Sequence, residues 1–192
     1  MRYGKGHKDA SRQRIIDVAS ERFRSDGIAA SGLAAIMSDA GLTNGAFYPH
    51  FKSKAELVRE SLAAAMDDQS NLLREIIAEG GLEAAVTAYL SPQHRDHAES
   101  GCTLAALLPE LARQPLDARS AYMERFLVAV SAMASALPAQ PGDRDAAAIG
   151  IYATLIGTLQ LARAVNGTPL SDRILAAGEE AARKLAGVGD AS

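Results

Sequence analysis

The stretch GIAASGLAAIMSDAGLTNGAFYPHFKSKAELV, residues 27–58, decides the fold. Its first half carries apolar residues at three- and four-residue spacings, which predicts a short amphipathic helix. These residues are Leu33, Ile36, Met37 and Ala40. Ser31 is a candidate N-cap for this helix, and Gly41 is expected to end it.

A second short helix is predicted directly after the first. Thr43 can cap it, so that it begins at Asn44, and the glycine-containing turn before it makes the pair a helix-turn-helix. Pro49 lacks an amide donor and disfavours helical geometry at Tyr48. The second helix is therefore predicted to end by Tyr48.

Longer helices are predicted on both sides of this unit. An apolar stripe predicts a helix from about Asp9 to Asp26. On the other side, the sequence SKAE at 53–56 fits a capping box, so a long helix is predicted from there to about Glu79. Phe47 and Phe51 are four positions apart and are predicted to fill the core of the unit.

The rest of the chain is also predicted to be helical, because alanine dominates it and β-branched runs are almost absent. Further helices are predicted at about 82–90, 102–114, 116–137, 143–166 and 170–186. The predicted fold class is all-α. A three-helix domain with the helix-turn-helix is assigned to residues 1–56, and a larger helical domain to residues 57–192.

The composition is that of an ordinary soluble globular protein, with 48% apolar and 22% charged residues. The sequence lacks a run of about 18 to 20 apolar residues and the apolar segment of a signal peptide, so we expect a cytoplasmic protein without a membrane partner. The single cysteine, Cys102, excludes an internal disulfide framework.

Charge is divided unevenly along the chain. Residues 1–56 hold nine Lys and Arg against six Asp and Glu, whereas residues 57–192 hold 11 against 17. The N-terminal quarter is therefore positive and the remainder negative, which indicates that the first part meets an anionic partner. The alternative is a solvated surface on which charges cluster by chance.

The quoted stretch resembles the DNA-binding segment of the tetracycline-repressor (TetR) family of bacterial transcriptional regulators. The resemblance covers about residues 11–62 and rests on the turn AGLT at 40–43 and on the residues that follow it at fixed spacing. These are Gly45, Tyr48, Phe51, Ser53, Lys54 and Leu57. The resemblance implies a ligand-responsive regulator, most simply a repressor, that binds a palindromic DNA operator as a homodimer with half-sites about 34 to 36 Å apart.

In such a regulator the second short helix lies in the major groove, with its first residues at the base edges. Thr43, Asn44 and Ala46 are then expected to face bases. The Asn44 side-chain amide can make a pair of hydrogen bonds to one adenine, and the Ala46 methyl can contact a thymine methyl. Gly45 keeps the helix close to the groove floor.

Tyr48, His50 and Lys54 are expected to donate to phosphates, which fixes register without reading sequence. The alternative for Tyr48 and His50 is that they are packed surface aromatics. The predicted DNA-binding residues are Ser31, Thr43, Asn44, Gly45, Ala46, Tyr48, His50 and Lys54.

The resemblance also implies that a small-molecule inducer binds in the larger domain and shifts the long helix. Apolar residues of the central helices predict an apolar or amphipathic inducer, and the alternative is that these residues simply fill a core. The candidate pocket residues are Met66, Tyr89, Cys102, Leu104, Leu108, Tyr122, Met123, Phe126 and Met133.

The helix predicted at 143–166 is apolar nearly all round, and its two glycines share one face. With the alanine-rich last helix it is predicted to form a dimer interface; the alternative is an intramolecular core helix. The predicted interface residues are Gly150, Ala153, Thr154, Gly157, Leu161, Ile174, Ala177, Gly178 and Ala181.

Other chemistry is weakly supported. Cys102 lies at a predicted helix N-terminus, where backbone donors favour a thiolate that could sense electrophiles; the alternative is an inert buried cysteine. His94 and His97 lack a third metal ligand, so we expect a polar mobile loop rather than a metal site. We expect no cofactor.

An enzyme is not expected, because the sequence shows neither a nucleophile–base arrangement nor a phosphate-binding glycine loop at motif spacing. Two rival interpretations stay open at this stage. One is a helical protein-interaction module whose basic patch meets an acidic partner, and the other is a small-molecule-binding enzyme of unrecognised type.

Overall fold

The computed structural model describes residues 5–138 and 142–187, and in these residues it contains helices and no β-strand. The all-α prediction is confirmed. The helices are α1 (Lys5–Asp26), α2 (Leu33–Asp39), α3 (Lys54–Tyr89), α4 (Pro92–Asp96), α5 (Thr103–Leu111), α6 (Leu116–Ala136), α7 (Arg144–Ala164) and α8 (Pro169–Ala186). Helix α1 begins four residues before the predicted Asp9.

The prediction that Ser31 caps α2 is wrong. Gly32 occupies the N-cap position, and no side chain bonds the free amides there. The Ser31 hydroxyl instead donates backwards, to the carbonyl oxygens of Gly27 at 2.7 Å and Arg22 at 3.2 Å. Ser31 is fully buried, so it fixes the loop between α1 and α2.

The second short helix is also different from the prediction. It is a single 3₁₀ turn over Asn44–Ala46, and the Thr43 side chain makes no capping bond. After this turn the His50 amide donates to the Phe47 carbonyl at 2.9 Å. Because Pro49 cannot donate an amide hydrogen, the backbone bends into a turn rather than continuing a helix.

The capping box at the start of α3 is confirmed in part. The Ser53 hydroxyl accepts the Glu56 amide at 3.2 Å, as predicted. The Glu56 carboxylate accepts the amide of Lys52 at 2.6 Å, one residue earlier than the box requires. The first bond satisfies an amide that the helix leaves free, the second holds the residue before the N-cap, and α3 begins at Lys54.

The predicted end of the long helix near Glu79 is confirmed as a break in the helical backbone of α3. Gly81 has φ 74° and ψ −175°, which is not helical, so it divides α3 into two helical arms. A residue with a side chain is strained at this φ, which explains why glycine stands at the kink. The helix predicted at 82–90 is thus the second arm of α3.

The segment predicted to be a mobile loop at 92–97 forms the short helix α4. Pro92 starts it, and the Ser91 hydroxyl accepts the His94 amide at 3.2 Å. This cap holds His94 in a fixed position. The predicted helix 102–114 is shorter than expected, since α5 ends at Leu111.

Helix α7 lies at the centre of the larger part of the fold and packs most extensively against α8. By length and composition alone it could cross a membrane, but much of its surface packs inside the protein. One continuous apolar core runs from Ile15 in α1 to Ala186 in α8. The division at residue 56 or 57 remains a prediction.

Candidate functional site

The aromatic cluster at 47–51 separates into buried and exposed members. Phe47 and Phe51 are each 1% exposed and stack with their ring centroids 5.6 Å apart, which confirms their predicted place in the core. Tyr48 meets the edge of Phe47 at 5.4 Å but is 72% exposed. Two buried rings therefore fix the backbone from which an exposed phenol projects.

The 3₁₀ turn forms most of the exposed surface next to Tyr48. Thr43, Asn44 and Gly45 are exposed, and Ala46 is half-buried. A side chain at Gly45 would meet no atom within 4 Å, so the surface above it is open. The turn presents small polar and apolar groups of the kind that can reach base edges in a groove.

Two predicted DNA contacts are already engaged within the protein. Ser31 is fully buried, so the prediction that its side chain reaches DNA is wrong. Lys54 is half-buried, and its ammonium donates to the Ile28 carbonyl at 2.6 Å. The Lys54 ammonium has two further donors, and the prediction that it contacts a phosphate stays untested.

His50 is half-buried beside α1. Burial, and then the positive charges of Lys8 and Arg12, lower the pKa of its imidazole. Its Nδ1 atom is buried and has no hydrogen-bond partner among the described residues. At neutral pH His50 therefore offers a neutral ring, which can donate one hydrogen bond but brings no positive charge.

A cavity of about 380 Å³ lies between α3, α4, α5, α6 and α7. Its volume falls within the usual range for small-molecule sites. Six of the predicted pocket residues line it: Met66, Tyr89, Cys102, Leu104, Phe126 and Met133.

Polar groups gather at one side of the cavity around His94. Its Nδ1 atom lies 2.6 Å from the Tyr89 carbonyl, and its Nε2 atom accepts the Cys102 amide at 2.9 Å. The first bond places the proton on Nδ1 and leaves Nε2 as the acceptor. Burial, the largest influence, lowers the pKa of His94, and the Arg163 charge lowers it further.

Helix α5 joins this cavity to the loop between α1 and α2. Cys102 is its N-cap, at the cavity wall, while Glu110 near its other end reaches the loop between α1 and α2. The Glu110 carboxylate accepts the Ile28 amide at 3.1 Å and the Ala29 amide at 3.0 Å. Gly27 has φ 85°, which strains any residue with a side chain, and an added Cβ atom there would lie 2.7 Å from this carboxylate.

A second bond lies beside this one. The Arg24 guanidinium at the end of α1 donates to the Glu99 carbonyl at 2.6 Å. Both bonds connect residues near the end of α1 to residues flanking or within α5. A displacement of α5 would therefore act directly on the α1–α2 loop.

The outer faces of α7 and α8 carry apolar groups that the chain leaves uncovered. Leu161 is 62% exposed, and Ala153, Ala177 and Ala181 are also exposed. A Cβ atom at Gly150 or at Gly157 would meet nothing within 4 Å.

One predicted dimer residue is wrong. Gly178 is buried against α7 of its own chain, where an added Cβ atom would lie 2.2 Å from the Thr158 hydroxyl. The glycine therefore allows α7 and α8 of one chain to approach closely. The role of the other predicted residues in a dimer is untested.

Comparison with known proteins agrees with this geometry. The sequence profile of bacterial regulatory proteins of the tetR family matches residues 15–61. The uncharacterized HTH-type transcriptional regulator TtgW of Pseudomonas putida is 36% identical over 94 residues, which are 46% of this chain and 70% of that regulator. The chain belongs to the tetR family of bacterial regulatory proteins.

Other relatives of this TetR-family chain match less of their own length. The HTH-type transcriptional repressor KstR2 of Rhodococcus jostii is 36% identical over 85 residues, 42% of each protein. The chain spans about half the length of most curated relatives it matches. A TetR-family regulator from Cytophaga hutchinsonii shares the fold, with a TM-score of 0.78 at 18% identity over 99% of this chain and 100% of that one.

Three residues predicted to line the pocket of this TetR-family chain lie outside the cavity wall. Leu108 and Tyr122 pack against the core, and Met123 is 48% exposed. The spacing of apolar residues along a helix does not show which of two neighbouring faces of that helix lines a cavity. The choice depends on how α5 and α6 rotate against α3 and α7, which is a tertiary effect.

Sequence reasoning also missed polar residues of the TetR-family pocket. The missed polar and histidine lining residues are Gln69, Ser70, Ser91, Gln93, His94, His97 and Ser100. The signal that could have found His94 was SPQH at 91–94, in which a serine cap and a following proline are typical of a helix start.

Proposed function

We propose that this chain is a ligand-responsive transcriptional repressor that binds a palindromic operator as a homodimer and leaves it when a small apolar or amphipathic inducer binds. The observation that carries this proposal is the exposed turn at 43–48, held on buried Phe47 and Phe51, in the same chain as a cavity of about 380 Å³. The printed name of KstR2, a transcriptional repressor, supports the direction of control.

Base contacts are assigned to the exposed turn. Asn44 is exposed, and its amide can pair with the N6 and N7 atoms of adenine. Ala46 and Thr43 present methyl groups that suit a thymine methyl, and Gly45 lets the turn approach the groove floor. Because the turn is short, we propose that it enters the groove end-on, with its N-terminal residues nearest the bases.

Phosphate contacts are assigned to Tyr48, His50 and Lys54. The Tyr48 hydroxyl projects from an exposed ring, while His50 supplies one neutral donor. Lys54 brings the positive charge. Since its ammonium already donates to the Ile28 carbonyl, its position is fixed before DNA binds.

The homodimer is assigned to the outer faces of α7 and α8. Gly150 and Gly157 lie seven residues apart on α7, with open space above both. Small residues allow two helices to pack closely, and the exposed Leu161 supplies apolar area to bury. Two copies joined here would present two recognition turns.

Release from DNA is assigned to a movement of α5. An inducer in the cavity would contact Leu104 and Cys102 at the start of this helix. Glu110 near its end holds the Ile28 and Ala29 amides, so the movement would reach the loop before α2. The kink at Gly81 gives α3 a place to bend in response.

The test is fluorescence anisotropy on labelled duplexes over a range of salt concentrations. Lys54→Ala should weaken binding to every duplex and lower the salt slope by about one, whereas Asn44→Ala should cost about 1 to 3 kcal/mol at one base position. Lys184→Ala, which removes a positive charge from α8, is the matched control. Lys184→Ala should bind like the wild type. If Lys54→Ala and Asn44→Ala also bind like the wild type, the assignment of the DNA surface is wrong.

A further inference from the structure

We infer that the cavity selects uncharged, largely apolar molecules that carry a hydrogen-bond acceptor such as a ketone oxygen, and that the Tyr89 hydroxyl donates to this acceptor. The inference rests on the proposed ligand-responsive function and names its ligand class. Two observations carry it: a cavity wall without formal charge, and one buried hydroxyl without a partner.

The described cavity wall contains no Asp, Glu, Lys or Arg. His94 is neutral, because both of its ring nitrogens bond backbone groups and burial lowers its pKa. His97 is exposed and lies 3.1 Å from the Glu99 carboxylate. A carboxylate or ammonium ligand would therefore lose its hydration without gaining a counterion.

Arg163 does not change this conclusion. It lies beside Gly101, but its guanidinium donates to the carbonyl oxygens of His94 at 2.6 Å and Arg95 at 3.0 Å. It is not part of the cavity wall. These bonds hold α7 against α4 and engage the guanidinium with backbone carbonyl oxygens.

Several polar side chains in the wall are already satisfied by the protein. The Gln69 amide donates to the Gly101 carbonyl at 2.8 Å and accepts the Thr103 amide at 3.2 Å. The Ser91 hydroxyl donates to the Ala88 carbonyl and accepts the His94 amide. These groups hold the wall together and have little capacity left for a ligand.

The Tyr89 hydroxyl is different. It is buried, belongs to a residue of the cavity wall and lies beside the Cys102 thiol, with no hydrogen-bond partner among the described residues. Burial, and then the neighbouring Cys102 thiol, raise the pKa of Tyr89 well above its ordinary value, so the hydroxyl stays protonated and remains a donor. The thiol is only a weak acceptor, and a buried donor in this state is a group that a ligand oxygen can satisfy.

The rest of the wall is apolar. Ile76 of α3, Phe126 and Met133 of α6 and Leu155 of α7 contribute aliphatic and aromatic surface. Burial of a hydrocarbon or aryl part of the ligand against this apolar surface favours binding. Tyr89 packs edge-on against His94, with centroids 4.7 Å apart, so its ring position is fixed before a ligand enters.

The test uses three probes of one shape: 4-phenylbutan-2-one, butylbenzene and 3-phenylpropanoate. They carry a ketone, a methylene group and a carboxylate at the same position. Binding to the full chain is measured by calorimetry without DNA, for the wild type and for Tyr89→Phe. Thermal unfolding of both proteins shows that the variant folds, and no loss of stability is expected because the hydroxyl has no partner.

Tyr89→Phe should lower the affinity for the ketone about three- to tenfold and leave that for butylbenzene nearly unchanged, since a neutral hydrogen bond has this net strength. The carboxylate should bind at least about tenfold more weakly than the ketone. The inference is overturned if the carboxylate binds as tightly as the ketone, or if Tyr89→Phe changes both neutral probes equally. It is also overturned if the ketone does not bind at millimolar concentration.

A second readout separates this inference from the proposed function. Without a probe, Tyr89→Phe should bind an operator duplex as the wild type does, because Tyr89 lies far from the recognition turn in the chain and on another element. Failure of the wild type to bind DNA would contradict the regulator but not the ligand chemistry. If the three probes bind equally well and DNA binding is intact, only the inferred class of ligand is contradicted.

Discussion

The proposed recognition unit and the proposed ligand cavity of this protein are built in opposite ways. Residues 43–51 take their roles from neighbours in sequence: Phe47 and Phe51 are buried, and Tyr48 between them is 72% exposed. The cavity wall is formed by residues between positions 66 and 155, most of which belong to five different helices. Local spacing therefore specifies the first region, whereas the second exists only when distant helices pack.

The largest expected effect comes from breaking the recognition unit at its centre. Phe47→Ala should lower the free energy of unfolding by about 3 to 5 kcal/mol, because it empties a fully buried aromatic site. Tyr48→Ala, one residue later, should change stability by less than about 0.5 kcal/mol while weakening DNA binding. Urea unfolding and anisotropy on the two variants measure both effects, and equal loss of stability would remove the distinction between core and surface.

The two glycines of the α7–α8 region sharpen the contrast between contacts within one chain and contacts between chains. Gly178→Ala should destabilise the fold by about 1 to 3 kcal/mol, since its Cβ atom would meet Thr158 at 2.2 Å. Gly157→Leu faces open space and should leave the fold stable but shift the protein toward monomer in sedimentation analysis. A dimer unchanged by Gly157→Leu would place the interface elsewhere.

Glu110 tests whether the two regions are coupled. Glu110→Gln keeps the shape but weakens the bonds to the Ile28 and Ala29 amides, at a cost of about 1 to 2 kcal/mol. DNA binding without a probe should fall moderately, and the response to a bound probe should shrink. Glu124→Gln on α6 is the control. If Glu110→Gln keeps a full response in anisotropy, the coupling takes another route.

The smallest expected effect is a pH dependence of the cavity region. Because burial lowers the pKa of His94, the folded chain binds fewer protons there than the unfolded chain. The resulting stability is complete above the unfolded pKa of about 6.5 and is lost as pH falls below it. Protonation of His94 would also turn its Nε2 atom from an acceptor into a donor, so the hydrogen bond from the Cys102 amide would be lost.

Urea midpoints at about pH 7.5 and about pH 5.5 measure this change. The fall in stability should be smaller in His94→Gln than in the wild type, while His97→Gln, at an exposed site, should behave as the wild type does. An equal fall in all three proteins would show that another group is responsible. His50, whose pKa is also lowered, would then be the next to replace.

Sequence reasoning reached most of the fold because its signals are local. The stripe in α2, the serine at the start of α3 and the buried pair Phe47 and Phe51 all follow from spacing or capping chemistry. It ended the long helix at about Glu79 because glycine ends many helices, and Gly81 does interrupt the helical backbone of α3 there.

The errors arise where a side chain bonds a partner outside its own helical turn. Ser31 had the chemistry of an N-cap, but its hydroxyl points back towards α1, to the carbonyls of Gly27 at 2.7 Å and Arg22 at 3.2 Å. His94 was assigned to a loop, although its ring connects the Tyr89 carbonyl with the Cys102 amide, eight residues later. Local patterns describe neighbours three or four residues apart, so they could not have named the Arg22 carbonyl or the Cys102 amide as partners.

We propose that residues 43–51 read DNA as one half of a symmetric pair. Selection of bound duplexes from a random pool with the full chain decides this. We expect enrichment of a palindrome whose half-sites lie about 34 to 36 Å apart, with affinity that falls as salt rises. A pool that yields no common sequence, or no binding even at low salt, would contradict it.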